Sequence, residues 1–298
     1  MTIVPLDKRP RSGPYSGLNV NSAKRFLMTQ FREAGLETPD LDARLLVMAA
    51  TGFSHTDMIV RGTDFPPSDV FDVIASYAER RLAGEPVDSI LGYRQFFGLA
   101  FKISKDVLSP RPETEILVET AREILAPLSS PRILDLGTGS GAIIISILSE
   151  LSAAEGVAVD ISDPALKIAR QNAVTHEVNS RLEFRCGSWF EPVPETFDLI
   201  VSNPPYITQA AMQQLSPEVA NHDPHLALSG GEDGLTAYRT IIDGAGAHLN
   251  LAGHILLEIG YDQGASVSAL LMAAGFSNVS IHKDLAGHDR MIKAMWSD

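Results

Sequence analysis

The chain has 298 residues, a 45% hydrophobic fraction and a formal charge of −13. That is enough apolar material for two packed domains, and the acidic balance argues against a protein that coats nucleic acid, which needs a basic surface to neutralise phosphates. Cys186 is the single cysteine, so no intramolecular disulfide forms, which fits a reducing cytosol and a cytoplasmic location. The longest strongly apolar run, Ala142–Leu148, is too short to span a bilayer.

Residues 1–18 carry Lys8, Arg9 and Arg11 among prolines and glycines, with no apolar core, and read as a flexible leader. Residues 19–86 read as helical. Ala23, Phe26, Leu27, Phe31 and Ala34 make one stripe stopped by Gly35, and Asp40 is expected to cap a second helix bearing Leu41, Leu45, Leu46 and Ala49. Ser54 or Thr56 starts a short third helix. Ser68 opens a longer one with Val70, Val73, Ile74, Tyr77 and Leu82 inward, closed by Gly84, while Arg61, Arg80 and Arg81 read as a solvated face.

Residues 87–110 form a linker in which Tyr93–Phe97 and Leu99–Ile103, either side of Gly98, predict a β-hairpin. Ser109 to Glu115 then leads into a helix over Ile116–Leu125. From Arg132 the pattern alternates strand and helix. Strands are expected at Ile133–Leu136, Val157–Val159, Leu182–Cys186, Phe197–Val201, His254–Ile259, Val279–His282 and Met291–Trp296, and helices near 141–151, 164–176, 235–248 and 263–274. Repeated βα units imply an α/β fold with a doubly wound, mostly parallel sheet over residues 111–298.

Four features follow four successive strands. Gly137-Thr138-Gly139-Ser140-Gly141 is a glycine turn between strand and helix, where backbone with positive φ lets a ligand approach closely. Asp160 ends the next strand, where a carboxylate accepts both hydroxyls of an adenosine ribose; capping the following helix is its other role, for which Asp163 competes. Trp189 can cover an adenine ring or simply pack in the core, and Cys186 reads as a buried packing residue. Last comes Asn203-Pro204-Pro205-Tyr206 after a buried strand. The two prolines make a rigid extended turn that aims the Asn203 side chain and the Asn203 and Pro204 carbonyls at one point, with the Tyr206 ring beside them. Oxygens that accept two N–H donors beside a ring that covers a π-face can grip a planar NH₂ group. All four lie at the carboxyl edge of one sheet, where open α/β sheets bind ligands. His222 and His225 lack a third partner at metal-ligand spacing, so no metal is expected.

The chain resembles the release-factor glutamine methyltransferases across most of its length. The resemblance rests on Gly84-Glu85-Pro86-Val87, on Ser109 to Glu115 with the family's Pro-Arg-Pro-Glu-Thr-Glu run, on the glycine turn and on Asn203 to Tyr206. It extends to Leu226–Leu228, Gly230–Leu235 and Lys283–Gly287. It implies a small helical N-terminal domain that docks the substrate protein and a seven-stranded class I methyltransferase domain of Rossmann-like form using S-adenosyl-L-methionine. It also implies transfer to the N5 amide nitrogen of glutamine in the Gly-Gly-Gln motif of class 1 peptide chain release factors, which acts on translation termination. Ser188 departs from the acidic residue usual there, and Ser89 from a common Tyr. Two rivals share the amide grip: a glutamine methyltransferase of a ribosomal protein, which breaks the Pro110–Glu115 run, and an adenine-N6 nucleic-acid methyltransferase, against which the acidic charge counts. A cofactor-binding scaffold without activity would have no use for Asn203–Tyr206.

Overall fold

A computed structural model describes residues 14–297, and the chain divides between Leu91 and Gly92 into two compact units. Most of the expected leader therefore lies outside the described residues. The Tyr15 side chain is buried in the first unit's core and its ring meets Phe26 edge-on at 5.3 Å.

The first unit holds α1 (Val20–Glu33), α2 (Pro39–Thr51), α3 (His55–Val60), α4 (Ser68–Leu82) and α5 (Val87–Leu91). Asn19 caps α1 by accepting from Ser22 N–H, and Ser54 caps α3 in a reciprocal pair with Asp57. Three expectations need correction. Thr38, not Asp40, precedes α2, and Asp40 sits in its first turn, where an acidic side chain suits the helix dipole. Phe26, Ala34 and Leu41 are exposed, so the α1 stripe is Val20, Ala23, Leu27 and Phe31. On α4 the buried face is Phe71, Ile74, Ala78 and Arg81, at spacings of three and four, while Val73 and Leu82 face solvent. Arg81 is consequently not a surface residue. Its Nε donates to Asp42 Oδ2 at 2.7 Å, both side chains being 6% exposed, and the other Asp42 oxygen accepts from Thr38 Oγ1 at 2.7 Å. Arg80 pairs with Glu85, and Arg61, exposed, pairs with Asp64 and stacks over Phe53.

The second unit opens with an antiparallel hairpin of β1 (Tyr93–Phe96) and β2 (Leu99–Lys102). It continues through α6 (Glu115–Leu125), β3 (Arg132–Leu136), α7 (Ala142–Glu150), β4 (Glu155–Asp160), α8 (Asp163–Thr175), β5 (Leu182–Cys186) and β6 (Phe197–Ser202). The short α9 (Gln209–Met212) and α10 (Pro217–His222) precede α11 (Thr236–Ala245), β7 (Leu249–Glu258), α12 (Gly264–Ala273), β8 (Phe276–Lys283) and β9 (Asp289–Trp296). Seven strands form one sheet in the order β5-β4-β3-β6-β7-β9-β8, parallel except for β9, which pairs antiparallel with both β7 and β8. Two apolar clusters cover its faces, one built on α6 and α7 and one on α11 and α12. Helix α7 is buried from Ala142 to Leu148 on every side, as expected for a helix apolar all round. Cys186 is exposed, contrary to expectation: it is the last residue of an edge strand, beyond the neighbours that cover Leu182. The topology places the site. From β3 the chain winds outward through β4 to β5, then returns to β6 on the other flank of β3. The carboxyl ends of β3 and β6 therefore flank the switch point, where such sheets leave a crevice.

The α2–α4 pair gives a stability prediction. Replacing Arg81 with Leu strands the Asp42 carboxylate without its cation and should lower unfolding free energy by roughly 3 kcal/mol in a denaturant titration. Adding Asp42→Leu removes the stranded charge, so the double variant should recover most of that loss.

Candidate functional site

The switch-point crevice is a cavity of about 470 Å³, a volume suited to a small organic ligand. Gly137, Thr138, Gly139 and Ser140 line it, as do Asp160, Trp189, Asn203 and Pro205. Of the other sequence-predicted residues, Gly141 starts α7, Pro204 is buried, and Tyr206 packs its ring on the cluster under α11; none of these three lines the cavity wall.

Local chemistry fixes the glycine turn. Gly137 and Thr138 N–H both donate to the Val159 carbonyl at 2.9 and 3.0 Å, tying the turn to the end of β4. Thr138 Oγ1 donates to Asp135 Oδ2 at 2.6 Å, and Gly139 N–H donates to Asp160 Oδ2 at 2.8 Å. The turn's amides are thus largely spent on its own shape, and its openness to a ligand comes from missing side chains. Gly137 and Gly139 have positive φ, and a Cβ built on Gly139 meets nothing within 4 Å. At Gly141 (φ +80°) a Cβ would come within 2.7 Å of Ile145, so glycine is also required for α7 to begin there.

Asp160 faces the cavity with its carboxylate fixed by Gly139 N–H and by Ser162 N–H at 2.9 Å. Ser162, not Asp160 or Asp163, caps α8, by accepting from Ala165 N–H. Burial raises the Asp160 pKa, and the backbone N–H groups of Ser162, Gly139 and Ile161 oppose that rise. Trp189 sits in left-handed backbone (φ +49°), a conformation that costs energy in a non-glycine residue and here presents an indole to the cavity wall. An open glycine cradle, a fixed carboxylate and an aromatic wall together make a cavity able to hold a ligand with hydroxyls and a flat ring.

Across the crevice, the Asn203–Tyr206 turn is pinned at both ends. Ser202 Oγ donates to the Leu136 carbonyl at 2.6 Å, and the Tyr206 carbonyl accepts from Gln263 Nε2 at 3.1 Å. Ile207 N–H donates to Leu228 and its carbonyl accepts from Gly230 N–H at 2.8 Å. Gly230 has to be glycine, because a Cβ there would lie 2.7 Å from the Tyr206 Cα. Desolvation, and then the neighbouring Glu258 charge, push the Tyr206 phenol up to about 12, so it is neutral.

Several residues that sequence reasoning did not single out complete the site. Thr114 and Glu258 stand behind Asn203, and Gln263 and Asn172 brace the loops. Asp135, fully buried, keeps an Oδ1 with no partner among the described residues. One signal was present for Glu258: a carboxylate closing the apolar run Ile255–Leu257 at a strand's carboxyl end, the pattern that marked Asp160. Among the described residues no group of His, Cys, Asp or Glu is placed to hold a metal ion, and no helix is long and apolar enough to cross a membrane.

Comparison with known proteins bears on the chemistry. Residues 111–232 match the Methyltransferase small domain family, and residues 23–92 the PrmC N-terminal domain family. A release factor glutamine methyltransferase of Agrobacterium fabrum is 45% identical over 88% of this chain and 92% of its own length. Another, from Bradyrhizobium diazoefficiens, is 44% identical over 95% of this chain and 97% of its own. Among solved structures, the hMettl16 catalytic domain in complex with a 3′UTR hairpin superposes with a TM-score of 0.55 at 18% identity, over 67% of this chain and 76% of that one. A methyltransferase from Pyrococcus furiosus gives 0.51 at 18% identity, over 75% of this chain and all of that one. At such identity these two structures speak to the fold alone.

The buried acid Asp135 makes stability pH-dependent. Burial raises its pKa to about 7, with the Thr138 hydrogen bond opposing. A carboxyl whose folded pKa lies above its unfolded value holds a proton in the native state that the unfolded chain has released. Its contribution therefore falls as pH rises from about 4 to about 7. Asp135→Asn removes that proton exchange. Melting curves at successive pH values should show the variant gaining on the wild-type protein across this window and no further change above it.

Proposed function

The chain belongs to the release factor glutamine methyltransferase family, and we propose that its methyl acceptor is a glutamine side-chain amide of a peptide chain release factor, held by Asn203–Tyr206. It is a methyltransferase that uses S-adenosyl-L-methionine. The observation that carries the reading is the position of Asn203, lining the cofactor cavity from the strand adjacent to the glycine turn. A cavity of this kind next to an amide acceptor is what N-methylation of an amide requires.

The residues that hold the cofactor in this reading are Gly137 to Gly141, Asp160 and Trp189. Bound there, it supplies an electrophilic methyl on a sulfonium. An amide nitrogen is a poor nucleophile because its lone pair is delocalised into the carbonyl. Asn203 Oδ1 and the Pro204 carbonyl, by accepting its two N–H groups, orient the nitrogen and favour pyramidalisation. The same two oxygens stabilise the positive charge that grows on it. The rigid prolines keep these oxygens in place before the substrate arrives, so little reorganisation is needed at reaction. Tyr206 contributes bulk that fixes the turn from behind. No general base is needed before transfer.

A glutamine side chain offers few atoms to recognise, so selection of one glutamine must come from remote protein surface. The helical unit, whose five helices contain no catalytic cluster, is the docking element in this reading, with the release factor recognised as protein and the enzyme placed in the cytoplasm. A polypeptide beginning at Gly92, once circular dichroism shows it folded, should bind cofactor normally and methylate intact release factor far more slowly than the whole chain. Unchanged kcat/KM would remove the docking role.

The direct test of the substrate is incubation with labelled cofactor and a purified release factor, followed by mass spectrometry of the modified residue. Label on ribosomal protein or nucleic acid instead would favour the rivals. Two variants separate the roles within the site. Asn203→Ala should lower kcat by the equivalent of about 3 kcal/mol with cofactor affinity kept, as for loss of a preorganised acceptor. Asp160→Ala should raise the cofactor Kd, by roughly 1.5–3 kcal/mol for each charge-assisted bond lost, with modest change in kcat.

A further inference from the structure

Behind the Asn203 turn, reaching the wall of the cofactor cavity at Thr114, lies a cluster of polar side chains. Glu258, at the carboxyl end of β7, is 2% exposed and Thr114 is 3% exposed. The Thr114 hydroxyl donates to Glu258 Oε2 at 2.6 Å, and Asn203 Nδ2 donates to Thr114 Oγ1 at 3.4 Å. The Asn203 side chain also lies near enough to Glu258 to oppose the rise of its pKa. Around the carboxylate stand Arg290 from β9, Tyr206 from the turn, Tyr238 from α11 and Glu113 beside Thr114. Arg290 is anchored in its turn by Asp284 at 3.1 Å.

The direction of each hydrogen bond follows from the chemistry of its partners. Burial raises the Glu258 pKa to about 7, and above that pH the ionised carboxylate has acceptors only, so the Thr114 proton points at Glu258. That leaves the Thr114 oxygen presenting lone pairs toward Asn203, and only the NH₂ end of an amide can answer them. A primary amide is nearly symmetric in shape, so packing alone would allow Asn203 to rotate by half a turn about its last torsion. In that flipped state two N–H donors would face the two N–H donors of the substrate amide. Ionised Glu258, by holding the Thr114 proton, disfavours the flipped state.

We propose that Glu258, working through Thr114, is a positioning residue that fixes which end of the Asn203 amide faces the methyl acceptor. The inference rests on the reading of Asn203 as the amide acceptor. It explains why an acidic side chain is kept in an apolar layer at the end of β7, where burial alone opposes it. Thr114 belongs to the Pro110–Glu115 run, so one job of that run is to carry this hydroxyl to the back of the turn.

The test is a set of single-turnover and steady-state measurements on the whole chain. Glu258→Leu removes the acceptor and should lower kcat on the order of 30-fold while leaving cofactor Kd within about threefold. Glu258→Gln restores a carbonyl oxygen and should recover most of that rate; since Gln restores the shape too, the double-mutant cycle below is what separates positioning from packing. Should the Leu variant fail to fold, Thr114→Val severs the same relay and should show the same split, with Thr114→Ser close to wild type. A double-mutant cycle gives the decisive readout. On an Asn203→Ala background, Glu258→Leu or Thr114→Val should cost little more, because the residue through which they act is gone. Losses that multiply in the cycle, or a kcat unchanged in both relay variants, would overturn the positioning role. Near-normal turnover of Asn203→Ala alone would instead remove the amide-acceptor reading, and the two failures are distinguishable.

Discussion

The structure of the second unit depends on one constraint: a proline-proline turn has to leave the end of a buried central strand without losing its aim. The two prolines of such a turn have no N–H groups to tie it to the sheet, so it must be held from outside. Ser202 Oγ holds the strand end just before the turn to β3, and Gln263 Nε2 holds the turn's last carbonyl. Gly230 and Gly234 let a neighbouring loop pass within contact distance of the Tyr206 backbone, which no residue with a Cβ could do. Three distant parts of the chain therefore converge on the turn. This is the arrangement expected when the position of an oxygen, more than its identity, determines a rate.

The same constraint accounts for what could be read in advance. The strands of the sheet were legible because buried parallel strands are short apolar runs with clear ends, and the pattern survives any error of a residue or two. β7 was the least accurate, beginning at Leu249 and not His254, because Ala252 and Gly253 interrupt the apolar run while the backbone continues through a register shift beside Phe197. Helices α5, α9 and α10, of four to six residues, are too short to show a period. The misreading of Arg81 has a different cause. An arginine in a helix is on average a surface residue, and only the rotation of α4 that brings Phe71, Ile74 and Ala78 to the core also carries Arg81 inward to meet Asp42.

The candidate site divides in the same way. Residues that follow strands directly, such as Gly137, Asp160 and Asn203, announce themselves by position, because the carboxyl edge of a doubly wound sheet is a predictable place. Thr114 and Glu258 are separated by 144 residues and meet only once β7 lies beside β6. No local pattern can pair them. Trp189 lies between these cases: its place after β5 was legible, whereas the left-handed backbone that turns its ring toward the cavity was not.

Three carboxylates, Asp135, Asp160 and Glu258, stand at or near the carboxyl ends of β3, β4 and β7, and burial raises the pKa of each. A fold optimised for stability would place apolar side chains there, since desolvating an acid costs more than one good hydrogen bond returns. Each acid instead orders something at the crevice: Asp135 the Thr138 hydroxyl, Asp160 the Gly139 amide, Glu258 the Thr114 hydroxyl and, through it, Asn203. Their hydrogen bonds run toward the cavity from the sheet, so that a rigid layer of strands sets the orientation of groups on otherwise irregular loops. The stability given up at three strand ends is what makes the loops as well defined as the sheet that carries them.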